Sequence, residues 1–158
     1  MAESTRTLHV ASWDDRFLAW LLDVVLVGAI LAGLQQTAGV FALVTGSLSL
    51  TASFTGLNGV ALFVYWTALE GARGQSAGKI VMDIAVADER GDPIGYGTAA
   101  IESFGKAFLL PLDVLVGWLA YEEEGLRLFN RLSGTIVVET DDDEHRPDDV
   151  EYVYPSER

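Results

Sequence analysis

The chain has 158 residues, half of them hydrophobic, and a formal net charge of −13. It contains no cysteine, which excludes disulfides, thiolate metal sites and a cysteine nucleophile, and it lacks the basic footprint of a nucleic-acid binder. Its length suits one domain, but its charges are badly placed for a soluble one: every residue from Val24 to Leu69 is uncharged. A water-exposed fold needs charge on its outer faces, whereas a bilayer span needs about 20 mainly apolar residues. The stretch therefore predicts two membrane helices with a connecting loop, and the lipid bilayer as the chain's first partner.

In chain order, Asp14 and Asp15 supply an N-cap and the negative charge that suits a helix start, so the first span is expected from about Phe17 to Leu34. Gln35, Gln36 and Gly39 mark its far end, and the small and hydroxylated residues from Thr45 to Asn58 read as the loop. The second span is expected over about Leu50 to Leu69, with Tyr65 and Trp66 in an interfacial aromatic belt just before Glu70. Asp14, Asp15 and Asp23 interrupt any signal-peptide pattern, so the first helix is expected to stay in the mature protein.

Beyond Gly71 the composition turns polar. Ile80, Met82, Ile84 and Val86 alternate with other residues before the turn Arg90-Gly91-Asp92-Pro93, which predicts a short strand outside the membrane. Thr135 to Val138 is a second strand able to pair with it. Between them lies a third apolar segment, about Ala99 to Tyr121, carrying Glu102, Lys106, Asp113 and the helix breaker Pro111. Its apolar part, Ala107 to Ala120, is short for a straight span, so it crosses as a broken helix or dips in and returns. Nine of the 23 acids lie between Glu139 and Glu157, among Pro147 and Pro155. This predicts a membrane domain over residues 1–138 and a solvated, disordered acidic tail over 139–158, suited to a salty cytoplasm.

Arg6 and Arg16 precede the first span and Arg73, Lys79 and Arg90 follow the second, so both flanks are expected in the cytoplasm. A re-entrant third segment would keep all ten basic residues on that side, and the charge distribution favours it over a full crossing. The expected architecture is an all-α membrane protein: two full transmembrane helices, a third broken or re-entrant segment, and a small cytoplasmic two-stranded β element.

Charges inside such helices are the candidates for chemistry, because a central carboxylate costs roughly 2.5–3.5 kcal/mol on insertion scales. Arg16, Ala19, Trp20 and Asp23 share one helix face, with Arg16 about 10 Å along the axis from Asp23. Lys106 and Asp113 repeat that base-to-acid spacing. Parallel packing of the two segments would set Asp23 and Asp113 at similar depth, a proton or Na⁺ site tuned by Arg16 and Lys106, with carbonyls freed at Pro111. The alternative is that each aspartate only satisfies neighbouring groups. Gly74 to Lys79, GQSAGK, superficially suggests a phosphate loop but has one residue too few between its glycines, Ile80 in place of Ser or Thr, and a span rather than a strand before it. It reads as a turn with Lys79 near the headgroups. Gly28 with Ala32 and Ala29 with Gly33 form small-xxx-small pairs that admit another helix or a second copy. His9 and His145 lie in polar terminal segments as solvated residues, and the sequence offers no hydrolase triad, zinc site or activated serine. No metal, cofactor or enzymatic activity is expected.

Arg16, Ala19 and Asp23 in the first helix, GQSAGKIVMDIAVADERGDPI after the second, and the closing RLSGTIVV together resemble the RDD family of prokaryotic membrane proteins, named for an arginine and two aspartates. The resemblance implies a multi-pass bundle for which transport is the usual suggestion. Arg16 and Asp23 match its first-helix pair and Asp113 its third-segment aspartate, while Asn130 stands where relatives often have Asp and Lys106 where arginine is frequent. Two functions are expected on this basis: a small transporter, oligomeric because a few spans make a thin pathway, or a membrane adaptor that recruits a partner through its strands and acidic tail.

Overall fold

The computed structural model describes residues 5–46, 58–109, 128–140 and 149–153. In chain order they form β1 (Thr5–His9), α1 (Trp13–Thr45), α2 (Asn58–Arg73), α3 (Ala77–Val81), β2 (Ile84–Asp88), α4 (Tyr96–Phe108), α5 (Leu128–Ser133), β3 (Thr135–Glu139) and β4 (Asp149–Val153).

Ser12 caps α1, its hydroxyl accepting from the Asp15 N–H, and Asp14 and Asp15 occupy the first turn. The helix does not stop near Leu34 as expected; it continues through Gln35, Gln36 and Gly39 to Thr45 and closes on Gly46. Glutamine is a good helix former and one glycine costs only about 1 kcal/mol, while the Thr37 and Thr45 hydroxyls bond back to the carbonyls of Gly33 and Phe41. At 33 residues the helix is about 50 Å long, more than the roughly 30 Å hydrocarbon core. Its buried positions are Arg16, Ala19, Asp23, Val27 and Ala42, whereas Phe17, Leu21, Val25, Ile30, Phe41 and Leu43 are exposed. That apolar outer surface is suited to lipid and unsuited to water.

Helix α2 begins at Asn58, and the expected loop and first turns of the second span, residues 47–57, lie outside the described residues. Helices α2 and α4 pack antiparallel, with Gly59 facing Phe108 and Gly71 facing Tyr96. Helix α4 starts at Tyr96, ahead of the expected Ala99, and is capped at Leu109. Whether the third segment crosses or re-enters falls on residues 110–127, outside the described residues.

The alternating run Ile80 to Val86 is not one strand. Ser76 caps a short helix, α3, so Ile80 is helical, and the strand begins at Ile84 after the turn at Met82 and Asp83. As expected, β2 pairs with the closing segment: β2 and β3 are antiparallel, Val86 opposite Val137. One face of this sheet, Ile84, Val86 and Val137, packs with Ala11, Ala19, Ile94 and Ala99; the other carries Ala87, Ile136 and Val138 against Leu8 and Val10. A second pair joins β1 and β4 in parallel. A strand at Asp149–Val153 thus lies within the acidic segment.

Gly74 closes the base of the segment carrying α3. Its φ of +71° is in the left-handed region that favours glycine, its N–H bonds the Glu70 carbonyl, and its carbonyl accepts from the Val86 N–H at 2.7 Å. The Gln75 amide donates to the Ile84 carbonyl. The chain thus leaves α2 and returns to β2 at neighbouring points, with α3 at the tip of the loop lying on α1.

Candidate functional site

Asp23 is buried on α1 and receives four hydrogen bonds. Oδ1 accepts from the Tyr65 hydroxyl at 2.8 Å and the Gly78 N–H at 2.7 Å; Oδ2 accepts from Trp66 Nε1 at 2.8 Å and the Ser76 hydroxyl at 2.6 Å. A carboxylate offers about four lone-pair sites, so its capacity is filled. The donors come from α2 and from the start of α3, where helix N–H groups otherwise lack partners. Tyr65 also accepts from the Ala77 N–H at 3.0 Å. A Cβ on Gly78 would strike the Ala19 carbonyl, so glycine is what lets α3 approach α1 closely enough for the bond to Asp23. The GQSAGK turn thus engages a carboxylate of its own chain.

One turn along α2 from Trp66 lies a second buried group. Glu70 on α2 is fully buried and its Oε1 receives Lys106 Nζ at 2.6 Å and Lys79 Nζ at 3.0 Å. Lys106 also pairs with Glu102, one turn earlier on α4, at 3.2 Å. All four side chains are at least nine-tenths buried, so the pairs act in a low-dielectric interior. Trp66 joins the two centres: its indole N–H bonds Asp23 and Lys106 Nζ sits 4.5 Å from its ring centroid, within cation–π range. The Lys79 and Trp66 side chains therefore point to buried partners inside the protein rather than outward, as a headgroup lysine or a belt aromatic would.

Of the residues singled out in the sequence, Arg16 stacks over Trp13 and donates from Nη2 to the Val137 carbonyl at 3.3 Å, tying β3 to α1. Lys106 is brought to Glu70 and Glu102, and Trp66 bonds Asp23 and also lies under the Lys106 ammonium. Asp113 and Pro111 lie outside the described residues. Gly28, Ala29, Ala32 and Gly33 are exposed on α1, with nothing near a Cβ built on either glycine. Asn130, buried, donates from Nδ2 to the Thr135 hydroxyl at 3.0 Å. Sequence reasoning missed Glu70, Lys79, Glu102 and Ser76 as site residues; the i,i+4 spacing of Glu102 and Lys106 was the one readable signal.

A long helix sheathed in exposed apolar side chains, with ionic groups fixed where helices meet, has the length and composition to cross a membrane. The family model of the RDD family matches residues 10–133, and the chain belongs to that family. No curated protein and no solved structure matches it.

Proposed function

We propose that the chain is a small proton- or ion-coupled transport component of the cell membrane, N-terminus in the cytoplasm, whose coupling centre is Glu70 with Lys79, Lys106 and Glu102. The observation that carries this reading is Glu70: a fully buried carboxylate whose Oε1 lies 2.6 Å and 3.0 Å from two buried ammonium groups. Ionisable groups inside membrane helices are costly and mark ion and proton paths by default. Asp23, with every lone pair engaged, serves better as the anchor that holds α3 and Trp66 in place. Asp113 remains a partner for the centre if the third segment returns toward it. The exposed stripe Gly28, Ala29, Ala32 and Gly33 gives a second copy a close-packing face, which supports an oligomer.

The test is flux in proteoliposomes under imposed H⁺, Na⁺ and K⁺ gradients. Wild type should dissipate one gradient and Glu70→Gln should abolish that flux with the fold intact. Flux that survives Glu70→Gln removes Glu70 from the path. A folded wild type that carries none of the three ions favours the non-enzymatic adaptor, which tail deletion should then inactivate.

A further inference from the structure

The loop carrying α3 belongs to the polar, water-facing part of the chain by its sequence neighbours, yet its tip is apolar and outward. Ile80 is 50 % and Val81 67 % exposed. They follow directly on Gly78 and Lys79, the residues that fasten the tip to Asp23 and Glu70. The contact fixes their level: Gly78 lies against Ala19 and Asp23, the latter seven residues and about 10 Å along the axis from Arg16. On α1 the residues around that level are Leu18, Leu21, Leu22, Val25 and Leu26, all exposed and all apolar. Ile80 and Val81 thus stand exposed near the level of an apolar surface that already begins at Phe17.

We infer that the tip of this loop, Ile80 and Val81, is inserted among the lipid acyl chains of the leaflet entered by the N-terminal end of α1. Three features agree with that seat. The base of the loop is closed by backbone and side-chain bonds between Gly74 and Val86 and between Gln75 and Ile84, so the tip is presented as a unit. The polar groups of the tip are turned inward: the Ser76 hydroxyl and Gly78 N–H go to Asp23 and the Lys79 ammonium to Glu70, as backbone and charge require where water is scarce. The chain then leaves the apolar level at Asp83, an exposed residue held at a φ of +52°. A lysine free to reach the headgroups would snorkel; Lys79 has a buried carboxylate instead.

The absence of native cysteine makes the test direct. Ile80→Cys, Val81→Cys, the lipid-facing control Val25→Cys and the exposed polar-turn control Glu89→Cys are reconstituted in permeabilised vesicles. Each is treated with a membrane-impermeant maleimide, and separately labelled with bimane and quenched by brominated phosphatidylcholine. Positions 80 and 81 should react at least ten times more slowly than position 89 and be quenched as strongly as position 25. Maleimide reaction as fast as at position 89 overturns the inference. So does slow reaction without lipid quenching, which would mean that protein covers the tip. Circular dichroism matched to wild type is required of each variant, and two adjacent positions guard against failure of one to fold. The result is independent of any flux measurement.

Discussion

Asp23→Asn is isosteric, and the geometry makes it costly. Each carboxylate oxygen receives one donor that can only donate, the Trp66 indole N–H on Oδ2 and the Gly78 amide on Oδ1, and one hydroxyl that can turn to accept. Whichever oxygen becomes an NH₂ group, one obligate donor faces another donor. Leaving a buried donor unsatisfied costs about 1–3 kcal/mol, and each of the three surviving bonds loses about 0.5–1 kcal/mol of charge assistance. The expected destabilisation is therefore about 2.5–6 kcal/mol. It is measurable by reversible unfolding in mixed micelles titrated with SDS and followed by circular dichroism. Trp66→Phe removes one of the two obligate donors, so the substituted amide at position 23 can turn its NH₂ toward position 66, and the double variant should lose about 1–2 kcal/mol less than the sum. A cost below about 1 kcal/mol for Asp23→Asn, or strict additivity in the cycle, would refute the donor assignment.

Gly78→Ala puts a methyl group into the Ala19 carbonyl and should cost about 1–3 kcal/mol in the same titration, because backbone on both sides cannot yield cheaply. Glu70→Met leaves two buried lysines without their shared carboxylate and should cost about 3–5 kcal/mol, while replacing Glu70, Lys79, Lys106 and Glu102 together by Met should recover most of it. That quadruple variant separates stability from function: if the cluster is the coupling centre, it folds but carries no flux. Arg16→Met removes the bond to the Val137 carbonyl, with an expected loss of about 1.5–3 kcal/mol and faster amide exchange in β3 measured by mass spectrometry.

The membrane character was legible because a run as long as Val24 to Leu69 without charge has no other economical use. The end of α1 was not, since Gln35, Gln36 and Gly39 resemble a stop by composition while the Thr37 hydroxyl satisfies itself within the helix. The β2–β3 pair was half legible: Thr135 to Val138 reads correctly, but the two-residue period over Ile80 to Val86 also fits a helical turn followed by a strand. Asp23 declared itself by its cost in an apolar helix, and its donors did not, because they are 42 to 55 residues away and none is unusual in its own segment. Trp66 and Lys79 were misplaced for one reason. An aromatic or a lysine near a helix end fits the interface by composition, and only the packing of α1, α3 and α4 around α2 brings Asp23 and Lys106 to Trp66 and Glu70 to Lys79.

That separation in sequence also sets an order of events during synthesis. Ribosomes add about 5–20 residues each second, so the donors from Tyr65 to Gly78 emerge roughly 2–11 seconds after Asp23. Until then the first helix holds a carboxylate with nothing to bond but water and headgroups, which favours a shallow, provisional seat near the membrane surface. Arrival of the second helix and its short loop supplies four donors within fourteen residues, and only then can protein groups satisfy the Asp23 carboxylate. A chain truncated before Tyr65 should therefore remain extractable from membranes under conditions that leave the full chain in place.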